Sequence, residues 1–60
     1  MDPNANLMEQ LELAKSIQDD YDKSGSINEH DCARLAELVL SMNDWISNGG
    51  FLPSVWKGDK

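Results

Sequence analysis

The sequence predicts an all-α protein, an antiparallel two-helix hairpin with an apolar C-terminal segment packed back on it, dimerising into a four-helix arrangement. Three observations predict this fold. Each half carries apolar residues at steps of three and four, a glycine-centred break separates the halves, and the chain ends in an aromatic segment interrupted by proline.

In the first half, Leu7, Leu11, Ala14, Ile17 and Tyr21 fall on a helical stripe about 120° wide. The spacing predicts a helix over about 4–21, with Asn4 or Asn6 accepting a hydrogen bond from a free backbone amide at its start. Residues 22–27, Asp-Lys-Ser-Gly-Ser-Ile, read as a turn in which Gly25 takes a positive φ. Asn28 is the expected cap of a second helix over about 29–47, with Asp31 reaching back as in a capping box. On that helix Cys32, Leu35, Leu38, Val39, Met42, Trp45 and Ile46 span about 140°, wider than the first stripe. The surplus, on the side of Leu38 and Trp45, calls for the tail, another copy or a partner. Asn48, Gly49 and Gly50 end the helix. Residues 49–56 are expected as the packed tail and 57–60 as a frayed end, the whole forming a single domain over 1–60.

The size of the chain sets a stability problem. Sixty residues bury only about 60% of the surface that the unfolded chain exposes. Small scaffolds supplement such a core with disulfides, a metal or a second copy. Cys32 is the sole cysteine, which excludes an intramolecular disulfide. Metal or self-association is left. A lone cysteine fits a reducing compartment, the start Met1-Asp2-Pro3-Asn4 lacks the positive charge of a secretory signal, and the longest apolar run is Leu38–Leu40. A cytoplasmic protein is expected. The net charge of −6 opposes direct contact with nucleic acid or anionic lipid and attracts a basic protein partner.

One motif carries metal chemistry. Asp20, Asp22, Ser24, Gly25, Ile27, Asn28 and Asp31 occupy positions 1, 3, 5, 6, 8, 9 and 12 of an EF-hand loop, where alternating carboxylates and a bend glycine surround calcium with oxygens. The flanks disagree. Positions one, four, five and eight before the loop, apolar in an EF-hand, are Asp19, Ser16, Lys15 and Glu12, and the final ligand is Asp31 in place of the longer glutamate. A helix end, a glycine turn and a capped helix start need the same residue types. Calcium binding through Asp20–Asp31 is therefore the alternative reading, and no cofactor or metal is expected.

Catalytic groups are sparse. His30, the only histidine, would have to serve as base for every serine and for Cys32, and no spacing provides a third group to orient it. His30 and Cys32 alone do not make a closed zinc site. A non-enzymatic protein is predicted. The aromatic concentration in the last sixteen residues, Trp45, Phe51 and Trp56, with Leu52 beside them, supplies the large amphipathic rings used by cores and by interfaces. Together with Leu38 these are the candidate partner-binding residues.

The string from Asp31 to Val39, then Asp44-Trp45-Ile46-Ser47, then Gly49-Gly50-Phe51-Leu52-Pro53 and Trp56, resembles short acidic helical proteins of bacteria and their phages. The opening Met1-Asp2-Pro3-Asn4-Ala5 is similar to theirs as well. The resemblance brings no activity. It implies a compact helical protein with a phage or mobile-element connection, in a bacterial cytoplasm, that works by binding a host protein. The expected function is thus a protein-interaction protein, an accessory factor or inhibitor of a host protein, with itself or a basic protein as partner.

Overall fold

A computed structural model of the chain describes residues 2–57, and among these it is all-helical. Helix α1 spans Pro3–Ser24, helix α2 spans Glu29–Ser47, and a short 3₁₀ turn covers Ser54–Lys57. The two long helices pack against each other along the hairpin. Of the expected frayed end, Lys57 closes the 3₁₀ turn and residues 58–60 lie outside the described residues.

Both helices begin where a side chain supplies the missing acceptor. The Asp2 carboxylate accepts from the amides of Asn4 and Ala5 at 3.0 and 3.3 Å, and Pro3 follows at the first helical position, where its lack of an N–H costs nothing. The cap is therefore Asp2 rather than Asn4 or Asn6. Asn28 caps α2 as expected, accepting from His30 at 2.8 Å and Asp31 at 3.2 Å.

The ends follow from glycine. Helix α1 runs three residues past Tyr21, because nothing in Asp22-Lys23-Ser24 forbids it. Lys23 lies favourably in the last turn, and the Ser24 hydroxyl bonds the Asp20 carbonyl at 3.0 Å. Gly25 then turns left-handed at φ 74° and donates its amide to the Tyr21 carbonyl. At the end of α2, Gly49 takes φ 90°, its amide bonds the Ile46 carbonyl, and the Gly50 amide bonds the Trp45 carbonyl at 2.8 Å, completing a Schellman motif.

The core is small. Leu7, Leu38 and Met42 are its buried apolar side chains, with Pro3 and Pro53 fully enclosed. The face that α1 turns inward differs from the expected one: Leu11 and Tyr21 are 55% and 59% exposed, and Ala14 is exposed too. Asn6, Gln10, Leu13 and Ile17 take the inward positions beside Leu7. The cause is polar. Asn6, only 8% exposed, donates its side-chain amide to the Leu38 carbonyl of α2 at 3.2 Å, and Gln10 donates to the Asn6 oxygen at 2.6 Å. A buried amide is costly unless paired, so this bond turns α1 until Asn6 faces the seam.

Removing that bond tests its weight. Asn6→Ala leaves a buried helix carbonyl with one fewer donor and opens a gap, and is expected to cost about 1–3 kcal/mol in urea denaturation followed by circular dichroism. Asn4→Ala, at an exposed position, should cost less. Equal midpoints for Asn6→Ala and the parent chain would show that the seam does not need the amide.

Candidate functional site

Residues 48–57 leave α2 and reach the start of α1 through two fixed points. The Trp45 indole N–H donates to the Phe51 carbonyl at 2.9 Å, and the Ser54 amide donates to Asn4 Oδ1 at 2.7 Å. The Trp45 and Phe51 rings meet edge to face, their centroids 5.4 Å apart at 84°. Gly50 is required there because a Cβ would run into the Trp45 indole. The Gly-Gly-Phe-Leu-Pro string thus has a physical content. Its first glycine supplies the left-handed turn, its second clears the indole, the phenylalanine abuts Trp45, and Pro53 is buried.

The candidate partner-binding residues divide. Leu38 is 6% exposed and lies in the interhelical seam, so it is not on the surface that a partner would meet. Trp45 is half-buried against Phe51. Phe51, Leu52 and Trp56 are exposed, and Val55, which the sequence did not single out, is the most exposed large apolar side chain of the set. Trp56 also lines a cleft of about 220 Å³ with Gln10 of α1 and Val39, Met42, Asn43 and Ile46 of α2. Val39 lies within the stripe expected of α2, whose width does not reveal which edge of it stays open, and half-buried Gln10 lies outside the stripe expected of α1.

On the opposite side of the hairpin Arg34 of α2 forks onto Glu9 of α1, Nε to Oε2 at 2.8 Å and Nη2 to Oε1 at 3.0 Å, and also bonds Glu37 at 3.1 Å. The hydrogen bonds from Arg34 hold the Glu9 carboxyl below the usual carboxylate range, and those to Glu9 and Glu37 push the Arg34 guanidinium up. Solvent reaches this pair, whose side chains are 42% and 47% exposed, so it contributes little stability.

The EF-hand-like string takes a different form from a calcium loop. Because α1 continues to Ser24, Asp20 and Asp22 are helical residues, about 200° apart around the axis, and their carboxylates diverge. Asn28 is engaged as a helix cap. Among the described residues no three His, Cys, Asp or Glu side chains converge as a metal site needs. His30 is exposed at the start of α2 and Cys32 is half-buried. No described helix is long and apolar enough to cross a membrane.

No protein-family model, no curated protein and no solved structure matches the chain.

Two outcomes follow. Ionised Glu9 carries the bridge, so its contribution is complete above the ordinary carboxyl value and is lost as pH falls through the depressed folded value. Glu9→Gln should therefore melt slightly below the parent at neutral pH, and the gap should close on acidification. Calcium at about 1 mM should leave the melting temperature unchanged, since the diverging carboxylates offer it no shared point. A rise with calcium that Asp20→Asn and Asp31→Asn abolish would reinstate the loop.

Proposed function

We propose that the chain is a non-enzymatic protein-interaction protein, a phage- or mobile-element-encoded accessory factor or inhibitor of a host protein, acting in the bacterial cytoplasm. Its C-terminal segment folds over one end of the hairpin, and two chains associate into a four-helix arrangement. One observation carries the protein-binding reading. Phe51, Leu52, Val55 and Trp56 are 57%, 38%, 74% and 49% exposed although the backbone beneath them is tied to Trp45 and to Asn4. Holding large apolar rings in water at fixed positions opposes the hydrophobic effect, and it prepares an interface whose ordering entropy has already been lost.

The chemistry of the surface narrows the partner. Acids outnumber bases eleven to five, so a protein with a basic rim around an apolar pocket is steered toward this chain, whereas an acidic one is repelled. Aromatic side chains at the centre of such a contact supply most of its energy.

Bacterial lysate passed over the immobilised chain is the direct test. A bound host protein should be retained by the parent chain and by Ser16→Ala, on a different part of the surface, and lost with Trp56→Ala or Leu52→Asp. Retention that is indifferent to both tail substitutions would remove the tail from the binding surface.

A further inference from the structure

We propose that the flank of the hairpin carrying the Val39–Trp56 cleft is the surface on which a second copy of this chain docks, back to back, to close the core. The proposal rests on the protein-interaction reading above and deepens it, because it assigns self-association to a face that does not depend on Leu38 or on Phe51 and Leu52.

The two sides of the hairpin differ in kind. Glu9 and Arg34 bridge one side, and the cleft of Gln10, Val39, Asn43 and Ile46 opens on the other. At 100° per residue, Leu11, Ala14, Gln18 and Tyr21 of α1 lie on the cleft side, as do Ala36 and Val39 of α2. Between Leu7 and Tyr21, and again between Cys32 and Ile46, no acid lies on that flank, although the intervening positions include Glu9, Glu12, Asp19, Asp20, Glu37 and Asp44; Lys15 stands at its outer edge, and Asp22 and Glu29 bound it toward the turn. The apolar stripe of α1 is this flank. Packing against α2 uses one edge of the stripe and leaves Leu11 and Tyr21 in water.

Charge selects the occupant. A basic partner would be drawn to the acidic positions and gain nothing from a strip without them. Two copies of a chain with net charge −6 repel wherever their acids meet, and the flank without acids is where they can approach. Among the described residues the buried apolar side chains are Leu7, Leu38, Met42, Pro3 and Pro53, and the single cysteine offers no intramolecular disulfide to supplement them, so a second copy would enlarge the core.

Sedimentation equilibrium of the full chain from about 5 to 200 µM should give twice the chain mass at the upper end. Val39→Glu and Leu11→Glu, both at positions already exposed within one chain, should weaken association at least about tenfold by placing a charge in a desolvated contact. Helicity measured at the same concentrations separates dissociation from unfolding, and if either glutamate variant unfolds, Val39→Lys mixed with Val39→Glu should restore a mixed dimer. Ser41→Glu on the bridged side should associate like the parent. A parent chain that stays monomeric at 200 µM overturns the proposal, as does a dimer that survives both flank substitutions. Lysate binding through the tail by a monomeric chain would leave the host-protein reading standing and refute both this proposal and the four-helix association.

Discussion

Asn6 donates to the carbonyl of Leu38 across the seam between the helices, and the rest of the structure is arranged around that bond. In a core whose buried apolar side chains are Leu7, Leu38 and Met42, apolar contact alone specifies rotation weakly, because a helix can roll by tens of degrees and exchange one leucine for another at little cost. An amide cannot be exchanged in this way. Enclosed without a partner it is penalised, and the Leu38 carbonyl is the acceptor within its reach once α1 has turned to one setting. Gln10 occupies the remaining Asn6 oxygen from within α1 and so stiffens the amide that makes the cross-helix contact.

Fixing the roll of α1 decides what each side of the hairpin becomes. Glu9 is carried next to Arg34, which gives one flank a forked ion pair. Leu11 and Tyr21 are carried outward, and with Val39 they give the other flank an acid-free, apolar character. The same turn leaves Asn4 directed away from the seam, where its side-chain oxygen takes the amide of Ser54 and ties down the C-terminal segment. The end of α2 supplies the second fastening, since the Schellman turn at Gly49 and the space over Gly50 bring the Phe51 carbonyl to the Trp45 indole.

A surface built in this way holds exposed apolar side chains at fixed positions. Its rings are large and the backbone beneath them is pinned, while Lys15, Asp19, Glu37 and Asp44 keep charge on the outward faces of the two helices. Self-association on the flank and partner capture at the aromatic end would then share Trp56, while Leu11 and Val39 on the one and Phe51 and Leu52 on the other are open to separate substitution.

The amino-acid sequence determined the helices, the break and the caps that act locally. Gly25 ends one helix and Asn28 starts the next for reasons contained within a few residues, and the apolar spacing makes each helix amphipathic. Asp2-Pro3 was equally legible as a helix start, and the nearby asparagines drew the expectation away from it. Tertiary structure alone decided which edge of each stripe faces inward, that Leu38 lies in the seam while Leu11 does not, and that Asn4 and Asn6 fasten distant parts of the chain instead of capping their own helix. Periodicity records the angular spread of apolar residues around one axis. The roll of that axis depends on hydrogen bonds to residues 32 and 50 positions away, which no local spacing encodes.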